Sequence, residues 1–392
     1  MSTTSPIART VFRTLLVPHS RARRPRKQRR GAAVVFGVFL IAGLLIMSAV
    51  AVDFGRINVS RSEIKRTADA AAMSGAWELF DSAVAGQSPT LAQSNVTHSA
   101  SNFASKNRVA SNTPTLDEQS DVEIGYYDLG SGVLDVANSD YNAVRVHVRQ
   151  TEDAGSAISL FFGAVTGRHE QSLQARSTAA LFKKIGGFHR PRKSGETLNI
   201  LPIALDLETW EKVVAKQTDD DMGFVNGQVT NSGDGYYECS LYPTGTGSPG
   251  NRGTVDIGSA NNSTSDLRRQ ILHGISQQDM IDLGKPLAFD SNHELELNGD
   301  TGISAGIKAE LAQIIGQPRI IPIFTTVQGN GNNAMYTIVR FEGIRILDVK
   351  LTGPMNKKHV TIQPAPTVAH YSIVEEEITE SEFLFTPVML VE

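Results

Sequence analysis

The hydrophobic pattern of the chain is dominated by one uninterrupted apolar segment near its beginning. Residues 31–52 read GAAVVFGVFLIAGLLIMSAVAV and contain no charged side chain. At a rise of 1.5 Å per residue, an α-helix of this length spans about 33 Å, enough to cross the hydrocarbon core of a bilayer. Because a single segment in lipid satisfies its backbone hydrogen bonds only as a helix, we predict a transmembrane helix over 31–52.

The helical pattern continues beyond the apolar segment. No proline occurs between residues 53 and 80, and small or apolar residues recur there at three- and four-residue spacing. We therefore predict one helix over 31–80, weakened at its glycines by about 1 kcal/mol each relative to alanine. Its small residues allow another helix or a sheet to approach closely. The candidate helix-packing and assembly residues are Asp53, Gly55, Ala68, Ala72 and Gly75. The alternative is that they pack this helix only on the chain's own sheet.

Strand patterns follow the helical ones. Asp121–Asp128 and Ala143–Gln150 alternate apolar and polar residues, and Ser172–Phe182 is a candidate closing strand. A long helix followed by an antiparallel sheet is thus predicted over 53–182. Residues 183–197 contain two adjacent glycines and several basic side chains, which predicts an exposed linker.

The remaining residues, 198–392, are predicted to form a second, β-rich extracytoplasmic domain with short helices. Ser304 is a candidate N-cap of a helix over Ser304–Ile315. Three β-branched runs, separated by GNGNN and by a Glu342-Gly343 turn, predict a meander. They are Arg319–Val327, Met335–Phe341 and Ile344–Leu351. The predicted fold class is α+β.

The charge distribution predicts an orientation in the membrane. Residues 1–30 hold nine basic side chains and no acidic one, which leaves 28 of the 37 basic residues beside all 41 acidic residues in the rest of the chain. A basic flank stays cytoplasmic, so the body is expected outside the cytoplasm. The basic tail suits anionic lipid headgroups better than nucleic acid. A signal peptide cleaved after Ala49-Val50-Ala51 is the alternative, although its apolar part is usually shorter than this segment.

Patterns that carry chemistry are weak. Gly302–Gly306 matches the G-x-S-x-G of serine hydrolases, but a polar turn precedes Ser304 where a buried strand is required. Asp219–Asp221 lacks the spacing of a Ca²⁺ loop. Cys239 is the only cysteine, and HExxH, CxxC and phosphate-loop motifs do not occur. We predict no enzyme activity, metal, cofactor or small-molecule substrate.

Several residue groups resemble a known family. They are Arg-Arg-Gly before the apolar segment, Val52–Arg56 at its exit, Ala68–Ala72 with Gly75-Ala76, Val122–Tyr126, Asn142–Val146 and Leu160–Gly163. Together they resemble TadE/TadG-like proteins of Flp (tight adherence) pilus systems. The resemblance implies a pilin-like helix and sheet. It also implies other Flp pilus-assembly proteins or pilin-like subunits as partners, besides the lipid bilayer.

Two departures from the family pattern refine this expectation. Processed members carry a glutamate five residues into the mature helix, whereas Ala32–Phe36 contains none. Larger members often carry a D-x-S-x-S metal motif, which this sequence lacks. We therefore expect a permanently anchored, single-pass protein of the bacterial inner (cytoplasmic) membrane, with a cytoplasmic N-terminus and a structural role in pilus assembly or anchoring. The alternatives are a binding or adhesin module and, less favoured, a serine hydrolase using Ser304.

Overall fold

A computed structural model describes residues 30–114, 116–242, 253–258, 263–329, 331–354 and 357–392. The basic tail predicted over 1–30 lies outside the described residues, except for Arg30 at the start of the first helix.

The first helix is one continuous element of 55 residues, α1, from Arg30 to Val84. Its length corresponds to about 80 Å. This confirms the single helix predicted from the apolar segment and the pattern after it. The described residues also contain shorter helices: α2 (Pro89–Lys106), α3 (Gly163–Thr166), α4 (Leu207–Val214), α5 (Thr264–His273), α6 (Gln277–Asp282), α7 (Lys308–Gln313), and 3-10 turns at Ala305–Ile307 and Gly331–Asn333.

The strands fall into two groups along the chain. Those before the predicted linker are β1 (Val122–Asp128), β2 (Val133–Asp135), β3 (Ala143–Gln150), β4 (Ile158–Ser159), β5 (Glu170–Gln171) and β6 (Leu173–Ala180). Those after its start are β7 (Ile185–Phe188), β8 (Thr197–Leu198), β9 (Leu205–Asp206), β10 (Gly223–Val225), β11 (Gln228–Thr230), β12 (Cys239–Tyr242), β13 (Thr254–Val255), β14 (Ile275–Ser276), β15 (Leu287–Ala288), β16 (Leu295–Asp300), β17 (Pro318–Gln328), β18 (Ala334–Lys350), β19 (His359–Pro364), β20 (Thr367–Val368), β21 (Ser372–Val374), β22 (Leu384–Phe385) and β23 (Met389–Leu390).

The first sheet is antiparallel, with the strand order β2-β1-β3-β6-β23. The second half of α1 and the helix α2 cover one of its faces. Val144, Val146 and Val148 of β3 point to that face and are fully buried in a core with α1 and α2. The strict alternation of β3 therefore confirms the predicted strand and its buried face.

Two expectations about the end of this region are wrong. The predicted closing strand, β6, lies inside the sheet, because β23 returns from the far end of the chain and pairs with it. The predicted linker contains β7, whose four residues are all buried and which pairs with β15 and β21. The glycines that suggested a loop serve close packing instead. A Cβ at Gly187 would lie 2.4 Å from the Cα of Ala288.

The second sheet is built around β18, and its main path is β12-β19-β18-β16-β13. The strand β17 pairs with β18 and, in parallel, with β9. Apolar cores lie on both faces, since the neighbouring residues Ile320 and Ile321 of β17 belong to different cores. The protein is thus mixed helix and sheet with a β-rich second region, as predicted.

The predicted turn at Glu342-Gly343 does not exist, because β18 runs through it as one strand of 17 residues. A Cβ at Gly343 would lie 2.3 Å from the carbonyl oxygen of Phe383 and 2.4 Å from that of Ala365. Glycine is required here because another part of the backbone approaches closely, not because the chain reverses.

Candidate functional site

Nearly all of the segment Gly31–Val52 in α1 lies apart from the other residues that the structure describes. In Gly31–Val52 every residue is exposed except Gly37, which is half-buried, and Ala49, which is 6% exposed. Phe36 and Phe39 are 70% and 73% exposed. Within the described residues, α1 is the one helix long and apolar enough to cross a membrane. Exposed apolar surface on this scale marks an interaction site.

The small-residue face of α1 lies against the chain's own sheet. Ala68 and Ala72 are fully buried, and a Cβ at Gly75 would lie 2.9 Å from Cγ1 of Val144 and 3.5 Å from Cβ of Ala100. These contacts favour the alternative that the three residues pack α1 within the chain. Their part in contacts between subunits stays a prediction.

Asp53 joins α1 to a distant loop. Its side chain is buried where the apolar segment ends, and it accepts hydrogen bonds from two consecutive backbone N–H groups. The distances from Asp53 oxygens are 2.8 Å to the nitrogen of Phe161 and 3.0 Å to that of Phe162. Because one carboxylate accepts from two consecutive backbone N–H groups, this contact fixes the loop beside the helix. The sequence predicted Asp53 as a packing residue, but it did not predict that Asp53 binds the loop at Phe161 and Phe162.

The loop is also held by a cation–π contact. The guanidinium carbon of Arg56 lies 4.3 Å from the ring centroid of Phe161, and its Nη2 donates to the carbonyl oxygen of Ala110 at 3.4 Å. Gly55 points away from this contact, with no heavy atom within 4 Å of a Cβ built there. The five predicted residues therefore form no single site. Asp53 binds the loop, Gly55 is free on the surface of α1, and the other three lie in the core.

A buried glutamate was missed by the sequence analysis. Glu342 is completely buried in β18 and accepts hydrogen bonds from the backbone nitrogens of Glu382, at 3.0 Å, and Phe383, at 3.1 Å. Burial raises its pKa to about 7, although these two bonds and nearby Arg340 act in the opposite direction. The Glu-Gly pair had suggested a turn, and no local signal indicated a buried acid.

The residues of the weak chemical motifs have partners within the protein. The Ser304 hydroxyl accepts from the backbone nitrogen of Gly306 at 3.2 Å and caps the 3-10 turn Ala305–Ile307. The helix predicted over Ser304–Ile315 is divided, because α7 begins at Lys308 after Ile307, which provides no side-chain cap. His293 and His359 pair with the carboxylates of Glu375 and Asp348. Among the described residues, no group of three or more His, Cys, Asp or Glu side chains is placed to hold a metal ion.

Asp219, in the acidic run at 219–221, pairs with Glu238 in an isolated antiparallel β-bridge. Asp220 accepts from the backbone nitrogens of Asp234, at 3.1 Å, and Gly235, at 3.2 Å. These bonds occupy the Asp220 carboxylate with protein donors.

The molecule is thus an α+β protein in which a long helix, apolar and exposed in its first half, packs on an antiparallel sheet. Residues 31–78 match the model of the TadE/G-like Flp pilus-assembly family, and residues 69–179 match that of the Tad-like Flp pilus-assembly family. The two matches confirm the suspected family: this part of the chain is TadE/G-like. No curated protein and no solved structure was found to match the chain.

Proposed function

We propose that the chain is a membrane-anchored structural component that assembles or anchors Flp pili. The family matches support a role in pilus assembly. The observation that carries the anchoring proposal is the exposure of nearly the whole segment Gly31–Val52, while the rest of α1 is packed on protein. Lipid is the environment in which such a surface is stable.

The mechanism we propose uses the exposed surface of α1. Its packed face is occupied by the first sheet and α2, so other pilin-like helices or the assembly platform contact the opposite face, which includes Gly55. The basic tail stays on the cytoplasmic side of a bacterial inner membrane, and both sheets lie outside the cytoplasm. The body then presents protein surfaces to other pilus components, with no chemical step of its own.

The anchoring proposal is tested by the mature N-terminus and by membrane fractionation of the protein from its own host. We expect an intact or Met-trimmed N-terminus and resistance to extraction at alkaline pH. Cleavage next to Gly31 would instead indicate a processed subunit that enters the fibre. Cleavage after Ala51 with release from the membrane would refute the anchor.

The assembly proposal is tested by complementing a deletion strain with variants of the exposed face. Gly55→Leu adds a large side chain where no atom lies within 4 Å, and leucine favours the helix more than glycine does. We expect normal membrane levels but fewer surface pili. Ser105→Leu, on an exposed position of α2, is the matched control and should leave pili unchanged. Normal pili with both variants would refute contact through this face, and normal pili in the deletion strain would favour the binding-module alternative.

A further inference from the structure

A short apolar loop projects from the first region beside α1. We call Leu160–Thr166 the Phe161 loop; it lies within the connection between β4 and β5, which pair with each other, and it includes α3. The backbone nitrogen of Leu160 donates to the carbonyl oxygen of His169 at 2.8 Å, which closes the base of the connection. The loop is therefore a defined hairpin tip.

The tip presents large apolar side chains that the protein does not cover. Phe161 is 67% exposed, Phe162 42% and Val165 50%. Among the described residues outside α1, Phe161 is the most exposed large apolar side chain. Among the described residues, its ring makes one cation–π contact, with the Arg56 guanidinium, and no ring–ring contact. Three exposed apolar residues within five positions form a patch, and such a patch indicates contact with something outside the chain.

The position of the loop supplies that explanation. The Asp53 carboxylate binds its backbone at the point where the apolar segment ends. One turn earlier, on the same face of α1, Ala49 is the one buried residue of Gly31–Val52, and α3 packs against α1. A turn of helix is about 5.4 Å long, so the loop lies beside the last turn of the lipid-exposed segment rather than above it.

Charged groups flank the patch in a pattern typical of a membrane surface. Arg168 and His169 are exposed immediately after the apolar tip, and Arg56 lies over the Phe161 ring. Phenylalanine and other apolar side chains enter the boundary between headgroups and acyl chains, and basic side chains favour anionic headgroups. An apolar tip followed by basic residues therefore fits one occupant, the lipid bilayer.

We propose that the Phe161 loop inserts its apolar side chains into the interfacial layer of the same leaflet that surrounds the end of the α1 anchor. This gives the body a second membrane contact and fixes its orientation relative to the bilayer. The inference rests on the proposed anchoring of α1. A single helix leaves the body free to rotate and tilt about it, whereas a second contact at its base restricts both motions.

The test uses the full chain in lipid vesicles that include anionic lipid. Cys239→Ser is the background, so that each variant carries one cysteine, and that cysteine is labelled with an environment-sensitive fluorophore. The sites are Phe162→Cys and Val165→Cys in the loop. Leu45→Cys, 66% exposed in the apolar segment, reports the anchor. Val225→Cys, 45% exposed in the distant β10–β11 hairpin, is the matched control for an exposed apolar position. Lipids with a nitroxide near the headgroup or deep in the acyl chain serve as quenchers.

We expect the loop labels to be quenched several-fold more strongly by the shallow nitroxide than the control label, and Leu45→Cys to be quenched by the deep one. Quenching at Leu45→Cys with loop labels as unquenched as the control would overturn the inference and leave the anchor intact. No quenching at any site would overturn the anchor itself. A blue-shifted loop label without quenching would show burial against protein, such as a second copy, and would also overturn lipid insertion.

Discussion

The buried carboxyl of Glu342 makes the stability of the second region depend on pH in an unusual direction. Burial raises its folded-state pKa from an ordinary 4.5 to about 7. The folded protein therefore binds this proton more tightly than the unfolded chain does. Its stabilising contribution is complete below about pH 4.5 and is lost as the pH rises through about 7. A difference of about 2.5 pKa units corresponds to about 3 kcal/mol.

The perturbation that tests this is Glu342→Gln, which keeps the size of the side chain but never ionises. We would follow urea unfolding of the full chain in detergent by tryptophan fluorescence between pH 5 and 8. Trp210 is a suitable reporter, since it is buried and its ring lies 6.0 Å from that of Phe383, whose nitrogen binds Glu342. The wild type should lose about 3 kcal/mol more than the variant as the pH rises.

The comparison between variants removes the effects of other titrating groups, which are common to both. Glu296→Gln, at an exposed position of the same sheet, is the control and should follow the wild type. The readout is the change of stability with pH and not the absolute stability, because the amide of Glu342→Gln replaces an acceptor of two N–H groups with one oxygen and one donor. Parallel pH profiles for the wild type and Glu342→Gln would refute the reasoning and show that Glu342 is ionised throughout.

Four further substitutions test the packing described above. Gly75→Val should lower the free energy of unfolding by about 2 kcal/mol, because the added side chain overpacks against the first sheet. Gly55→Val, on the open face, should change it by less than about 0.5 kcal/mol. Equal effects of the two substitutions in urea unfolding would contradict the assigned faces. Gly343→Ala should lower the free energy of unfolding by about 3 kcal/mol in the same assay, because two backbone carbonyl oxygens lie 2.3 and 2.4 Å from the added Cβ. A decrease of less than about 1 kcal/mol would contradict that close approach. Asp53→Ala should remove about 2 kcal/mol from the anchoring of the Phe161 loop and speed amide exchange there about thirtyfold; unchanged exchange would show that the carboxylate does not hold the loop.

Local patterns predicted the parts of the fold that depend on neighbours in sequence. The apolar segment and its helical continuation gave α1, and strict alternation gave β3, because periodicity alone decides which face each residue takes. The small face of α1 was recognised, but a sequence pattern does not distinguish packing on the chain's own sheet from packing on another subunit.

The errors share one physical cause, which is contact between residues far apart in sequence. Gly343 and Gly187 suggested a turn and a linker, yet both lie in strands that another backbone segment approaches. Asp53 was placed at the end of the apolar segment, but its partners lie more than 100 residues later. Glycine and charge signals indicate that a position is special, and only the tertiary structure shows which segment makes it so.

The return of β23 to the first sheet has a mechanical consequence. The chain leaves that sheet after β6 and re-enters it at β23, and the two crossings are joined where Phe182 and Thr386 exchange hydrogen bonds. A single connection would let the two sheets rotate relative to each other, whereas two hydrogen-bonded connections resist this rotation. Torque on the second sheet is therefore transmitted to the first sheet and to α1, which packs on it.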